Sequence, residues 1–265
     1  MIRVFPRKTK WTPDDELSFI GWPGLFRPKE QPVRVSVTFT KDIEMGQRLK
    51  RAWEVYYKDV QVGGPALGDP GGEFEPGRFI KKGVTITSRG CSKRCPWCFV
   101  PKREGPVREL PIRGGNIVQD NNLLACSKDH IVKVFDMLKT QKAVSFNGGI
   151  DTTLLRDWHR PLFDSIKLKE IWVACDAEAS LRYLRKAAKI FDGISTNKLR
   201  CYTMIGFNGE SLALAERRLE HVYRLGFLPF CQLYRGANQM EYTAEWKALA
   251  RKWSRPAIYR AAQSS

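Results

Sequence analysis

The stretch "GVTITSRGCSKRCPWCFVPKREG", residues 83–105, decides how this chain is read. Its first five residues are a short run rich in β-branched side chains and predict a strand. That strand empties into Cys91, Cys95 and Cys98, a C-x3-C-x2-C spacing on one loop, set among Lys93, Arg94, Lys102 and Arg103. Structural zinc asks for four closed ligands, usually paired C-x2-C units or C-x2-C with H-x3-H. The second pair is missing here, and Cys126 or His130 would each bring a single fourth ligand with no short-spaced companion. Three thiolates on a short loop suit instead a cubane iron–sulfur cluster in which three irons are held and the fourth is left open.

Downstream, apolar strand-like runs alternate with helical patterns. Strands are predicted over 83–87, 116–119, 143–147, 171–175, 200–206 and 227–234. Helices are predicted over 127–141, with Ser127 as the cap, over 177–191 and over 210–226. This alternation implies a parallel sheet with right-handed crossovers. A full eight-unit barrel wants more chain than remains, so the expected fold class is α/β, a partial (β/α)6 TIM-like barrel. The first crossover, 98–116, carries Pro101, Gly105, Pro106, Pro111 and Gly114 and predicts an irregular excursion rather than a helix. After residue 236 a basic helix over 241–253 and a frayed end are expected.

Upstream, residues 1–31 show no sustained period and read as an irregular arm, with Trp22, Leu25 and Phe26 packed on the body. "VRVSVTFT", residues 33–40, alternates as a strand. Asp42 is placed to cap a helix running to about Lys58, and "VQVGGP" makes a second strand ending in a glycine turn. Strand, helix and strand form one βαβ unit, too small to stand alone. The Gly/Pro-dense segment 63–78 is a connector. Three segments result: 1–78, an arm with a βαβ extension and connector; 79–236, the core; 237–265, a basic helix and tail.

Composition narrows the function classes. The seven cysteines are uneven, three clustered and Cys126, Cys175, Cys201 and Cys231 far apart, which argues for a reducing cytoplasm and metal chemistry over a disulfide framework. Neither a signal peptide nor a membrane span is expected. A formal charge of +17, spread along the chain, attracts polyanions. A nucleic-acid substrate, an acidic redox partner and simple solubility are three explanations for it.

"GCSKRCPWC" resembles the signature of the radical S-adenosylmethionine (SAM) superfamily, with Trp97 in the aromatic position before the last cysteine. The resemblance covers residues 84 to about 236. It implies a 4Fe–4S cluster on Cys91, Cys95 and Cys98 whose open iron chelates SAM, and reductive cleavage of SAM to a radical that abstracts a substrate hydrogen. Where the family often holds the SAM amino group on a Gly-Gly-Glu turn, this chain has Gln119, Asp120 and Asn121; as polar turn residues these also simply end a strand. The fourth strand end places Asp176 or Glu178 near the ribose and methionine portions, although Asp176 or Ser180 equally caps the next helix. "YTMIGFNGES" is similar to the family's adenine-lining pattern and implies Ile205, Gly206 and Glu210, the last also suited to a helix first turn. Gly148–Gly149 allows close backbone approach to a ligand or makes a plain turn. Gln232, Tyr234 and Arg235 would face substrate.

Cys126, after the "QDNN" turn, is a candidate to donate or quench a hydrogen atom. The N-terminal unit resembles the later half of a cobalamin-binding domain, but its D-x-H-x-x-G motif is absent and the only histidines, His130, His159 and His221, lie in the core segment, so no cobalamin is expected. The expected partners are an acidic electron donor of flavodoxin or ferredoxin type and an anionic or macromolecular substrate. Competing function classes are a zinc-containing nucleic-acid-binding module and a non-catalytic SAM-binding protein.

Overall fold

Isoleucine and valine at Ile2, Val4, Val33 and Val35 make two buried, parallel-paired strands in the first part of the chain. The computed structural model describes residues 1–236 and 240–264; residues 237–239, where the expected tail begins, and Ser265 lie outside it. Strands β1 (Ile2–Phe5), β2 (Ser18–Ile20), β3 (Val33–Ser36) and β4 (Val60–Gly63) form a parallel sheet in the order β2-β1-β3-β4. Helix α1 (Ile43–Glu54) packs Leu49 and Trp53 onto it.

The irregular-arm reading of residues 1–31 is thus corrected: the arm supplies two strands, and β1 is central. Four-residue strands without a turn signal carry too little periodicity to be seen. Trp22, Leu25 and Phe26 are 58%, 90% and 93% exposed and do not pack on the body. The segment is held instead by α1 and the turn after it, through the Trp53 indole donating to the Gly21 carbonyl (3.1 Å) and the Tyr57 hydroxyl to the Pro28 carbonyl (2.8 Å). Asp42 does not cap α1 with its side chain; it pairs with Arg7.

The second sheet is all parallel and has six strands: β5 (Val84–Thr85), then, beyond an excursion, β8 (Ile117–Val118), β9 (Val144–Ile150), β10 (Leu168–Ala174), β11 (Leu199–Ile205) and β12 (Leu228–Leu233). Their order, β12-β11-β10-β9-β8-β5, follows the chain without a reversal. The excursion between β5 and β8 holds the antiparallel pair β6 (Ser88–Arg89) and β7 (Arg108–Glu109) around the five-residue helix α2 (Val100–Glu104). Prolines and glycines leave room there for no longer helix.

Later crossovers carry α3 (Lys128–Lys139), the short α4 (Arg160–Asp164), α5 (Leu181–Ile190) and α6 (Leu212–Arg224). The Ser127 side chain caps α3 by accepting from the His130 amide, and Ser211 caps α6 in the same way. Apolar faces of α3, α4 and α5 bury Phe135, Phe163 and Leu184 against Phe146 and Val173 of the sheet. Period-2 alternation in β11 sends Cys201 and Thr203 into the core and turns Tyr202 and Met204, half-exposed, to the opposite face.

After residue 240, α7 (Ala244–Trp253) is followed by α8 (Pro256–Ser264) rather than by a frayed end. Tyr259 is fully buried and stacks on Trp253, 5.1 Å between ring centroids, which anchors α8 against α6 and β12. The chain is therefore α/β with parallel sheets. Among the described residues no helix is long and apolar enough to cross a membrane.

Candidate active site

The cysteine loop runs between β6 and β7, in the excursion beyond the carboxyl end of β5, and is pinched shut at its base. The Cys91 amide donates to the Gly105 carbonyl (3.0 Å), and Gly90, at φ +81°, lies so close to the returning strand that a Cβ would sit 2.1 Å from the Pro106 carbonyl oxygen. Only glycine fits there without displacing backbone. Within the loop the Cys98 amide closes a turn onto the Cys95 carbonyl (3.0 Å).

Two buried carboxylates hold this loop to the sheet. Asp120, 2% exposed, accepts from the Thr87 amide (2.7 Å), the Thr87 hydroxyl (2.6 Å) and the Ser88 hydroxyl (2.7 Å). Burial raises its carboxyl above the usual range, while these donors oppose the shift. Glu104, at the end of α2, accepts from the Gly90 amide (3.2 Å), Arg103 and the Asn121 side-chain amide (2.5 Å).

Cys91, Cys95 and Cys98 line one cavity of about 600 Å³. Its floor is built from strand ends: Gly148 after β9's midpoint, Ala174 and Asp176 at the end of β10, Met204 on β11 and Gln232 on β12. Gly148 is compressed against the neighbouring strand end, where a Cβ would meet the Asp120 carbonyl oxygen at 2.1 Å. Trp97 also lines the cavity, its ring edge-on to Phe207 at 5.2 Å. Asp176 accepts the Met204 amide (2.9 Å), and burial raises its carboxyl.

Burial also raises the thiols of Cys95 and Cys98; at Cys95 the Lys93 charge works against this and the neighbouring thiols add to it. The triad loop is tied across the cavity: Lys93 Nζ reaches Asp151 Oδ1 (2.6 Å), and the Asn122 side-chain amide donates to Asp151 Oδ2 (3.0 Å) and contacts Cys91 Sγ (3.5 Å). Burial favours the neutral form of Asp151, but Lys93 and Thr153 overrule it and hold the carboxyl below its ordinary value. As the side chains stand, no group of three or more His, Cys, Asp or Glu among the described residues is gathered around a single metal point.

Not every residue singled out in the sequence reaches this cavity. Trp97, Asn121 and Asp176 line it, with Gln232 and Ser180. Gln119 lines a separate cavity of about 360 Å³ facing the N-terminal sheet, beside Arg7 and Phe39. Asp120 is consumed by Thr87 and Ser88, so it positions the loop rather than presenting a carboxylate to a ligand. Glu178 lies in a turn of 3₁₀ helix away from the lining, and Ile205 is buried between α6, α7 and the sheet.

Glu210 accepts the Gly206 amide (3.0 Å) and ion-pairs with Arg218 (2.6 Å), closing its own loop, and Gly206 abuts Tyr242. Cys126 packs at the edge of the core, outside the cavity lining, and burial pushes its thiol up to about 11. Ser180 begins α5 without a side-chain capping bond, and Asp176 is spent on Met204, so neither capping alternative holds.

Asn122, Asp151 and Glu104 escaped the sequence reading. Asp151 is the first residue after β9, whose last turn-like residues Gly148 and Gly149 are in fact strand, and Asn122 ends the "QDNN" run, so their positions after strands were the available signal. Glu104 sits in a charged, Pro-flanked run that looks like a solvated loop, and nothing in the sequence marks it as buried. Compared with known protein families and with curated proteins, the chain matches no family model and no curated protein.

Proposed function

We propose that the chain is a radical SAM enzyme using one 4Fe–4S cluster on Cys91, Cys95 and Cys98. The observation that carries this reading is that all three thiols, spaced C-x3-C-x2-C, line one cavity walled by the carboxyl ends of parallel strands. Ligands of α/β proteins bind at that end of the sheet. The unreversed strand order suits a partial (β/α)6 barrel open on one side.

The donor set suits the group in kind, three thiols of one loop lining one cavity, and a cluster would draw together side chains that are not gathered around one point as they stand. Three free thiols with no fourth cysteine in the lining leave one corner of a cluster to the cavity. Cys126 and His130, the fourth ligands a zinc site would recruit, are absent from that lining. When bound, the cluster supplies an electron that cleaves SAM reductively and yields a hydrogen-abstracting radical. The chain's own residues orient and exclude: Asn121, held by Glu104, and Asp176, held by the Met204 amide, are fixed in the lining, Gly148 and Gly149 let backbone approach a ligand, and Tyr202 and Met204 supply an apolar wall.

A thiol triad of this kind belongs to a reducing compartment such as the cytoplasm. Its electron would come from an acidic flavodoxin- or ferredoxin-type donor steered by the positive surface, to which Arg94 and Lys102 contribute. The test is anaerobic reconstitution with iron and sulfide followed by SAM and dithionite. The proposal expects 5′-deoxyadenosine and methionine from the unmodified chain and neither from Cys95→Ala; a reconstituted chain that never cleaves SAM sinks it.

A further inference from the structure

We propose that the cavity receives its substrate from a single-stranded nucleic acid bound in a basic, aromatic groove beside it. A second depression, about 730 Å³, lies between the loop after β9 and the outer face of α5. Thr152 and Thr153 line both it and the cysteine cavity, so the two share a wall. That wall is stiffened by Asp151, whose Oδ1 accepts from the Thr153 amide (3.0 Å) and hydroxyl (2.7 Å).

The groove's chemistry is that of a strand binder. Arg156, Lys186 and Lys189 line it against one carboxylate, Asp157. Among the described residues none of the three cations is in an ion pair, the Arg156 guanidinium donating only to the Thr153 and Leu155 carbonyls (2.8 Å each), whereas Lys93, Lys133 and Arg160 are each matched to an aspartate. Lys128 and Arg182 add charge beside it through their contacts with the lining residues Trp158 and Tyr183. A face that exists only for solubility has no need of aromatics, yet Trp158 and Tyr183 stand in this one. Trp158 is 37% exposed, stacks flat on the His159 ring (3.8 Å) and carries Lys128 over its face (5.3 Å); Arg182 lies over Tyr183 at 4.5 Å.

Unpaired cations that track a backbone, interleaved with aromatic platforms for bases, are what sequence-tolerant binding of a single strand requires. An acidic protein partner would be met by the cations but would leave Trp158 without a purpose. A reacting base must leave its stack to reach a recessed cavity, and a strand lying over the Thr152–Thr153 wall is placed to deliver one. The inference rests on the radical SAM reading only for what happens in the cavity; binding in the groove needs neither cluster nor SAM.

The test is fluorescence anisotropy of the full chain, without cluster, on labelled 12-mer DNA and RNA single strands and on polyphosphate of matched charge. Lys186→Ala with Lys189→Ala should weaken binding of the preferred oligonucleotide on the order of tenfold at low salt and flatten the log–log salt slope by about 1.4, two contacts at ~0.7 each. Trp158→Ala should weaken it roughly fivefold or more, the lower end of a lost stacked base, with no effect on polyphosphate. Lys8→Ala, Lys29→Ala and Arg51→Ala together, on the N-terminal unit, should leave binding unchanged. Groove variants that bind like the unmodified chain, a remote triple as costly as the groove pair, or polyphosphate bound as well as either oligonucleotide would each overturn the proposal. Because the assay reads a cluster-free chain, a negative result leaves SAM cleavage untouched, and loss of SAM cleavage leaves the binding result standing.

Discussion

Removing the Glu210 carboxylate should unravel the floor of the candidate site, because that carboxylate is the counter-charge of an almost fully buried arginine. Arg218 is 1% exposed; its guanidinium donates to the carbonyls of Cys175 (2.7 Å) and Met204 (3.0 Å) and to Glu210 (2.6 Å). It therefore stitches the ends of β10 and β11 together beside Asp176 and Met204. In Glu210→Ala the arginine remains buried with no anion, and the Gly206 amide loses its acceptor. Breaking a buried pair from one side costs about 3–5 kcal/mol. Against a total stability of about 5–15 kcal/mol this is a large share. At roughly 2–4 °C per kcal/mol for a chain of this size class, the melting temperature should fall by about 6–20 °C.

Glu210→Gln keeps one acceptor and should fall between the two. Replacing both partners, Glu210→Ala with Arg218→Met, should recover part of the loss, because a buried pair exchanged for apolar groups is often nearly neutral. Urea denaturation followed by circular dichroism gives all four corners of the cycle. A Glu210→Ala cost below about 1 kcal/mol, or a double variant that simply sums the two single costs, would refute the clamp and return Glu210 to the ligand-binding role its sequence context implies.

Two further outcomes follow from the same geometry. Gly148→Ala forces a methyl into the Asp120 backbone, where no side chain can give way; overpacking costs typically about 1–3 kcal/mol, and backbone on the receiving side puts this variant at or above the top of that range, measurable as a drop in the urea midpoint. Burial holds the Cys126 thiol at about 11 and the Cys175 thiol at about 12, so thiolate is scarce at neutral pH and increases with pH. Alkylation of Cys126 in the native chain should therefore be slow at pH 8, accelerate about tenfold per pH unit up to pH 10, and level only near pH 11. A plateau by pH 9 would contradict the burial that sets the value.

Much of the core was legible because its strands are long or flanked by turn chemistry. The runs holding Phe146, Val173, Cys201 and Cys231 are bounded by glycine or polar turns, and each became a strand of the six-stranded sheet. Strand β1 was not legible: "IRVF" is four residues followed by Pro6 and a charged run, and only its pairing with β3 and the burial of Ile2 and Val4 reveal it. The same limit hid α8, whose place is set by Tyr259 meeting Trp253 and Tyr223, a contact between distant segments.

At the site, the spacing of Cys91, Cys95 and Cys98 and the aromatic Trp97 were visible in the chain, since all lie on one loop. What the chain could not display is which carboxylates face inward. Asp120 and Glu210 sit at strand ends where ligand contacts are expected, yet each is turned onto backbone amides and hydroxyls or an arginine. Asp151, in contrast, meets Lys93 from 58 residues away and so joins the cavity through tertiary packing alone. Single-sequence reasoning finds which residue types stand at a strand end; the direction of each side chain is fixed by neighbours it cannot see.

The most direct test of the central claim is the iron and sulfide content, with the low-temperature electron paramagnetic resonance spectrum, of the anaerobically reconstituted and dithionite-reduced chain before and after SAM. Ligation by Cys91, Cys95 and Cys98 predicts about four irons and four sulfides per chain, a reduced-cluster signal that changes when SAM is added, and loss of both in Cys91→Ala, Cys95→Ala and Cys98→Ala. Stoichiometric zinc with no iron uptake, or an iron content that survives Cys98→Ala, would contradict it.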